Sequence, residues 1–262
     1  GDTGETLVYN RGEVSVTRVM ATQMELKKYV STPQTGGHYR TNRQEDGTTR
    51  NIRAYFGHEY SYKLNLYNTG SPAEHVVVYD ILEEGSTTAS QWKGTFQRVD
   101  TSQAQNLGLA PVVYYSAATS PGPLESGSWT RTVPADPAWV KAVAVDFGSG
   151  FMKTARDVYV EVFLKAPEAR EDLVGKRTVN HFSVSYTAAD QETSLDSNEV
   201  QVSLDHPKGT VSLEKTDAES GEVLTGYRFQ LLAADGTVAA TLTDQAMDTE
   251  EIPTGPYILQ EV

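Results

Sequence analysis

The sequence contains no cysteine among its 262 residues. Disulfides, zinc–thiolate sites and a cysteine–glutamine thioester of the adhesin type are therefore excluded. The sequence also has no apolar run long enough to cross a bilayer and no signal-peptide pattern at its start. A protein of this kind that works outside the cell would need a stabilising bond other than a disulfide.

Basic residues are scarce: 22 lysines and arginines stand against 35 aspartates and glutamates, which gives a formal net charge of −13. This excess of negative charge argues against nucleic acid and anionic membranes as partners. The five histidines are isolated from one another, without the spacing of metal ligands. The acidic segment Asp190-Gln191-Glu192 lacks EF-hand spacing, so a solvated face is favoured over a calcium site. We expect no metal and no cofactor.

Motifs of enzymes with turnover are missing from the sequence as well. It has no Gly-x-Ser-x-Gly elbow, no Walker loop and no His-Glu-x-x-His. The sequence therefore predicts a binding or structural protein rather than an enzyme.

Helix signals are nearly absent, whereas strand patterns recur roughly every ten to fifteen residues with Gly, Pro, Asn and Ser between them. This spacing is typical of an all-β sandwich. The segment Asn68-Thr69-Gly70-Ser71-Pro72 predicts a turn that joins two strands as an antiparallel pair. The clearest predicted strands are residues 24–30, 59–67, 74–82, 140–147, 158–164, 181–187 and 198–204.

Residues 85–138 are richer in Ser, Thr, Gly and Pro, which indicates long loops around one or two strands. This segment carries the aromatic residues Trp92, Tyr114, Tyr115 and Trp129. They could line a ligand site, but filling of the sandwich core is the favoured interpretation.

A segment of linker composition, Asp205-His206-Pro207-Lys208-Gly209, follows the last of these strands. It predicts a boundary between a large domain, residues 1–206, and a small domain, residues 207–262. Residues 1–20 are interpreted as possible lead-in strands of the large domain.

Three polar residues of the large domain occupy positions where strand alternation predicts burial: Lys28, Asp80 and Asn198. Each is in phase with the apolar residues of its own strand. Two alternatives stay open, since Lys27 directly precedes Lys28 and Asn180 is also in phase with apolar neighbours. A buried lysine with a buried acid requires either an ion pair or chemistry between them.

The small domain repeats this pattern on two strands. Within Val211-Ser212-Leu213-Glu214-Lys215, alternation puts Lys215 on the apolar face, and within Tyr257-Ile258-Leu259-Gln260-Glu261 it puts Glu261 there. The sequence therefore predicts a second inward-facing lysine and acid.

These two segments, with Gly221-Glu222-Val223-Leu224-Thr225-Gly226-Tyr227-Arg228-Phe229-Gln230-Leu231 between them, resemble a Cna B-type (SpaA-like, prealbumin-like) domain over about residues 209–262. Such domains stack into the stalks and pili of Gram-positive surface proteins. The resemblance implies a small prealbumin-like β-sandwich with Lys215 as an isopeptide nucleophile and Glu261 as the assisting acid. The partner Asn of the family would follow Val262, so the domain is expected to be partial and to form no bond.

The large domain resembles the Ig-like repeat domains of bacterial surface adhesins. The resemblance lies in Tyr62-Lys63-Leu64-Asn65-Leu66-Tyr67-Asn68, Val76-Val77-Val78-Tyr79-Asp80-Ile81-Leu82 and Ser197-Asn198-Glu199-Val200. In related isopeptide-forming domains, an early Lys bonds an Asn of the final strand with the help of a central Asp. Carried over to these positions, the resemblance implies that Lys28 attacks Asn198 while Asp80 assists, with Asn180 as the alternative acceptor.

Burial suits this chemistry. An amine attacks a carboxamide only when it is neutral, and removal from water disfavours the charged forms of amines and acids. The attack expels ammonia and happens once per molecule, with folding supplying the proximity.

The segment His206-Pro207-Lys208-Gly209 has a partial similarity to the Pro-Lys-Asn core of the sortase pilin motif, with Gly209 in place of the Asn. Lys208 is therefore a candidate for linkage between pilin subunits. The simpler interpretation is an exposed lysine in a linker.

Together the resemblances imply an extracellular structural and adhesive module of a Gram-positive protein that is anchored to the cell wall. Its expected partners are a host extracellular matrix or glycan ligand, or neighbouring pilin subunits. The alternatives are a pilin subunit that sortase polymerises through Lys208 and a carbohydrate-binding surface module.

Overall fold

The computed structural model describes residues 24–70, 72–82, 90–149, 151, 157–188 and 190–262. Nearly all regular structure in these ranges is β-strand, which confirms the predicted all-β class. The predicted lead-in strands of residues 1–20 lie outside the described residues. The helical segments described are the α-helix α1 (Ser102–Asn106) and 3-10 turns at Pro33–Thr35, Leu124–Ser126, Pro137–Trp139 and Glu171–Leu173.

The strands follow the period of two that the sequence predicts. In both Val158–Lys165 and Val200–Asp205, every second residue is buried. In chain order the strands are β1 (Met24–Ser31), β2 (Ile52–Tyr55), β3 (Glu59–Asn68), β4 (Glu74–Ile81), β5 (Thr95–Asp100), β6 (Val112–Ser116), β7 (Ala142–Asp146), β8 (Val158–Lys165), β9 (Arg177–Asn180), β10 (Ser183–Ala188), β11 (Gln191–Asp196), β12 (Val200–Asp205), β13 (Lys208–Gly209), β14 (Arg228–Leu232), β15 (Val238–Thr243), β16 (Ile252–Pro253) and β17 (Ile258–Glu261).

Two antiparallel sheets form the body of the larger unit. One has the strand order β1-β3-β8-β5 and the other the order β11-β10-β4-β7-β6. Buried side chains of both sheets, among them Leu64, Val160, Val78 and Val145, belong to one continuous core. Because apolar faces of two sheets enclose a shared core, the larger unit is a β-sandwich of the Ig-like kind that the sequence predicts.

A third sheet, of order β2-β12-β9, lies against the same core. Strand β2 is parallel to β12, and β9 is antiparallel to it, with Asn180 opposite Val200. The inward side chains of β12 are Val200, Val202 and Leu204, all fully buried. Through its pairing with β12, the last three residues of β9, Thr178, Val179 and Asn180, are buried.

The predicted hairpin at residues 68–72 is wrong, because β3 and β4 lie in different sheets. The buried side chain of Asn68 donates to the carbonyl of Phe151 at 3.2 Å and accepts from the amide of Gly70 at 3.0 Å. These hydrogen bonds satisfy the buried carboxamide of Asn68 at the end of β3, where the chain leaves one sheet for the other. Turn-forming residues identify where a strand ends, but they do not decide which sheet the next strand joins.

The aromatic residues between positions 85 and 138 are divided between core and surface. Trp92 and Tyr115 are buried in the core, as the favoured interpretation predicts. Trp129 is partly exposed and lies against Tyr79, with ring centroids 5.8 Å apart, while the hydroxyl of Tyr114 accepts a hydrogen bond from Arg131. The four side chains therefore do not form one ligand-binding patch.

Residues after position 206 form two smaller sheets, β13-β16 and β15-β14-β17. Their buried apolar side chains are Tyr227, Leu231 and Leu242. In the described residues, no sheet combines strands from both sides of position 206. The boundary between residues 206 and 207 stays a prediction with which these pairings agree.

Candidate functional site

Lys28 is the most unusual residue of the core, because a long cationic side chain is completely buried there. On β1, Met24, Lys28 and Val30 face inward, while Lys27 is exposed and has its ammonium 5.4 Å from the centre of the Tyr29 ring. The structure thus resolves the alternative between the two lysines in favour of Lys28. A charge without contact to water must be matched by close polar partners.

The Lys28 amine is in contact with the side chains of Asp80 and Asn180. Its Nζ donates to Oδ2 of Asp80 at 2.7 Å, and both side chains are 0% exposed. The same Nζ donates to the carboxamide oxygen Oδ1 of Asn180, which is also fully buried. The ring of Tyr62 closes another side, with its centre 4.3 Å from Nζ. Amine, carboxyl and carboxamide are therefore in direct contact in a site that excludes water.

The three groups come from three different sheets. Lys28 belongs to β1, Asp80 to β4 and Asn180 to the last position of β9. Asp80 faces inward because β4 pairs with β7 in a register that places it opposite Val143. Only the complete sandwich, with its third sheet in place, brings Lys28, Asp80 and Asn180 together.

The prediction that Asn198 lies at the Lys28 amine is wrong. Asn198 is exposed, and its side chain bonds the backbone of Lys28: Oδ1 accepts from the amide at 2.9 Å, and Nδ2 donates to the carbonyl at 3.1 Å. The physical reason is that β12 begins at Val200, so the alternation that predicted an inward Asn198 does not extend to it. Asn198 fixes the β1 backbone from outside, while Asn180 lies at the amine.

The polar atoms around the amine are not all satisfied. Asn180 uses its Nδ2 to donate to the carbonyl of Ile81 at 3.3 Å. Oδ1 of Asp80 is buried and has no hydrogen-bond partner among the described residues. An unsatisfied buried carboxyl oxygen is costly, and such atoms are rare in native structures. The site therefore contains an acceptor that a proton on Asp80 would convert into a donor.

The second predicted pair is in contact but not buried. Lys215 Nζ lies 2.5 Å from Glu261 Oε1, and the side chains are 35% and 52% exposed. The expected burial of Glu261 is therefore wrong. Its strand, β17, is an edge strand on which Ile258 and Leu259 are also exposed, so the described residues provide no layer that covers this face.

Lys208, the predicted linkage lysine, lies on β13 rather than in an open linker. Its Nζ forms a salt bridge of 2.9 Å with Oδ2 of Asp205, and only 24% of its side chain is exposed. The strand pairs with β16, where Lys208 is opposite Pro253. An amine held in this way is less accessible to a linking enzyme than the sequence suggested.

The described ranges contain no cluster of three or more His, Cys, Asp or Glu side chains that could hold a metal ion. Within the same ranges, no helix has the length and the apolar character needed to cross a membrane.

Comparison with known families identifies the smaller unit. Residues 209–262 match the model of the SpaA prealbumin-like fold domain, which confirms the predicted resemblance for about a fifth of the chain. No curated protein matches the chain.

Several solved structures are similar to the chain at low identity. They include BcpA, the major pilin subunit of Bacillus cereus, with 15% identity and a TM-score of 0.41. The alignment covers 91% of this chain and 59% of BcpA. The full-length major pilin SpaD of Corynebacterium diphtheriae shares 16% identity at a TM-score of 0.31. The alignment covers 87% of this chain and 48% of SpaD. ACE19, the collagen-binding subdomain of the Enterococcus faecalis surface protein ACE, shares 10% identity at a TM-score of 0.30. The alignment covers 55% of this chain and 87% of ACE19. This chain thus spans about three fifths of BcpA, and TM-scores of this size do not establish a shared function.

Proposed function

We propose that this chain is a structural module of a bacterial surface protein, and that an amide bond between Lys28 and Asn180 locks its larger sandwich. The observation that supports this function best is the dry contact of the Lys28 amine with Asp80 and Asn180. A module of this kind needs no cysteine, which agrees with the composition. The prealbumin-like match of residues 209–262 supports a place in a stalk or pilus.

The reaction needs only the groups present. Transfer of a proton from Lys28 to Asp80 would give a neutral amine and a neutral acid, and the neutral amine is the form that can attack a carboxamide. The protonated Asp80 can then donate to the carboxamide oxygen and polarise it. Nζ of Lys28 attacks Cγ of Asn180, and the C–N bond to Nδ2 breaks. The attacking amine gives up one proton, which Asp80 can relay to Nδ2, so that the NH2 group leaves as ammonia and Asp80 ends in the protonation state in which it began the attack. The product is one amide bond between the two side chains.

The bond would act on the molecule itself, once, so we propose no enzymatic turnover. It would join two residues that are 152 positions apart. By the chain-entropy argument, closing a loop of this length stabilises the fold by about 5 kcal/mol. It would also connect β1 to β9 covalently, so that a load between these strands acts on a bond that reducing agents do not cleave.

The proposed setting is extracellular, on a Gram-positive cell surface with attachment to the cell wall. Partners in that setting would be neighbouring subunits of the same fibre, or a host matrix or glycan ligand. Linkage between subunits through Lys208 is the weaker hypothesis, since its amine is paired with Asp205.

Peptide mapping tests the identity of the acceptor. In a proteolytic digest of the parent protein, we expect the peptides that contain Lys28 and Asn180 to appear as one linked species that has lost ammonia. The link is expected to persist in Asn198→Ala, because that side chain bonds the backbone of Lys28 and not its amine, and to be absent from Asn180→Ala. A link to Asn198, or separate linear peptides in the parent, would contradict the proposal.

A further inference from the structure

A cleft of about 500 Å³ lies between β1 and the segment of residues 39–50. This volume is within the range of roughly 300–1,000 Å³ that is typical of ligand pockets. We call it the basic cleft, because its lining includes the four cations Lys27, Arg40, Arg43 and Arg50 together with the aromatic rings of Tyr29 and Tyr39.

None of the four cations of the basic cleft forms a salt bridge among the described residues, although acidic side chains outnumber basic ones in this protein. Elsewhere the arginines Arg98 and Arg170 each form a salt bridge. Two acidic residues, Glu45 and Asp46, also line the cleft, so its four cations exceed its carboxylates by two. Asp46 accepts hydrogen bonds from the amide and the hydroxyl of Thr48, and Arg50 donates to the side chain of Gln44 at 2.6 Å. A net positive charge, with Arg40 and Arg43 outside any salt bridge among the described residues, therefore remains for an anionic ligand.

The segment that carries the arginines is hydrogen-bonded to itself and to β12. Its two arms pair at Arg43 and Thr49, and the amide of Arg50 donates to the carbonyl of Asn42 at 2.7 Å. Asn42 also bonds β12 in both directions, donating to the carbonyl of Gln201 at 2.7 Å and accepting from its amide at 2.6 Å. A binding surface that is fixed before the ligand arrives loses less conformational entropy on binding.

The aromatic side of the cleft is fixed as well. The hydroxyl of Tyr39 is hydrogen-bonded to Ser61 at 2.8 Å and donates to Glu161, and burial together with this carboxylate raises the pKa of Tyr39 above its usual range. The ring of Tyr29 is supported by the ammonium of Lys63, 4.5 Å from the ring centre. Fixed tyrosine rings beside arginines offer apolar faces for the C–H groups of a sugar and donors for its charged groups.

The neighbouring edge of β1 is closed to an extended peptide at the level of the cleft. The backbone groups of Val30 are paired in both directions with those of Arg40, at 2.9 Å each. Those of Lys28 are taken by the side chain of Asn198. Because a peptide that adds to a sheet needs free backbone groups at its edge, a saccharide fits this cleft better than a peptide strand.

We propose that the basic cleft binds an acidic oligosaccharide. Its arginines would bind carboxylate or sulfate groups, for which the guanidinium fork is suited, and the tyrosine rings would pack against the sugar rings. This proposal is independent of the Lys28–Asn180 bond, whose groups lie in the core and not in the cleft.

Calorimetric titration of the whole chain at physiological salt tests the proposal with defined probes. The probes are a sulfated heparin tetrasaccharide, an unsulfated heparosan tetrasaccharide that carries only carboxylates, neutral maltotetraose and tetraglutamate. We expect at least one of the two acidic saccharides to bind, which identifies the charged group that is recognised, and maltotetraose to show no binding.

The variant Arg43→Gln is expected to weaken this binding at least about fivefold, since it removes hydrogen bonds to a charged group. Arg43 is exposed and its side chain contacts no described residue through hydrogen bonds, so the fold should be unaffected. Arg177→Gln, an exposed arginine on β9 with the same change of charge, is the matched control and should remain within about twofold of the parent. No binding of either acidic saccharide, an equal loss in both variants, or tighter binding of tetraglutamate would overturn the proposal.

Discussion

Replacement of Asp80 by alanine is expected to leave Lys28 and Asn180 unlinked and to lower the melting temperature of the larger sandwich by at least about 10 °C. The expected loss follows from the loop of 152 residues that the bond would close. That closure contributes about 5 kcal/mol, and a domain of this size loses roughly 2–4 °C for each kcal/mol. Differential scanning calorimetry of parent and variant measures the shift.

A second variant separates the bond from the buried charge. Asp80→Ala also leaves the buried Lys28 amine without its carboxylate, which by itself destabilises a fold by about 3–5 kcal/mol. In Lys28→Met with Asp80→Leu both charges are absent, and such apolar replacements of buried ion pairs are often neutral. We expect the double variant to melt well below the parent. A double variant as stable as the parent would mean that the parent contains no covalent link.

When single molecules are stretched by their ends, the unfolded parent should have a shorter contour length than its full sequence allows. With Lys28 and Asn180 joined, the chain between them cannot extend, whatever the force that unfolds the sandwich. At about 3.3–3.6 Å per residue, the 152 intervening positions correspond to roughly 500 Å of extended chain. Atomic force microscopy is therefore expected to show a contour length about 500 Å longer for Asp80→Ala than for the parent.

Lys215→Ala provides the matched control for this experiment. It removes a lysine from a contact with a carboxylate, as in the core site, but from a pair that is open to solvent. Its contour length should equal that of the parent. Parent and Asp80→Ala molecules of the same contour length would contradict the bond.

The inward position of Lys28 and Asp80 could be predicted from the sequence because strand alternation is a local property. Residues two apart on a strand share a face whatever the strand pairs with. Lys27 is exposed while Lys28 is buried, as the phase of the apolar residues on β1 indicates. The contact of 2.7 Å between Lys28 and Asp80 required the tertiary structure, since their strands belong to different sheets.

Which carboxamide lies at the Lys28 amine could not be predicted in the same way. The choice between Asn180 and Asn198 depends on where β12 begins and on its pairing with β9, and both are decided by contacts far apart in the chain. The alternation that favoured Asn198 assumed a strand from position 198, two residues before the strand starts. Thr178 and Asn180, both buried and two apart on β9, carry the signal that would have placed Asn180 at the amine.

Alternation also overestimated burial in the smaller unit. Lys215 does share a partly buried face with Val211 and Leu213. Glu261 is exposed nevertheless, because the period of a strand specifies which residues share a face and not whether another layer covers that face.

The intact mass of the purified chain under denaturing conditions tests the central claim most directly, with Lys28→Ala and Asp80→Ala measured alongside. The account predicts that the parent is lighter than its sequence mass by one ammonia and that each variant has the mass of its own sequence. A parent mass equal to that of the unmodified sequence would contradict the account, and Lys28, Asp80 and Asn180 would then form a buried polar network without a covalent bond.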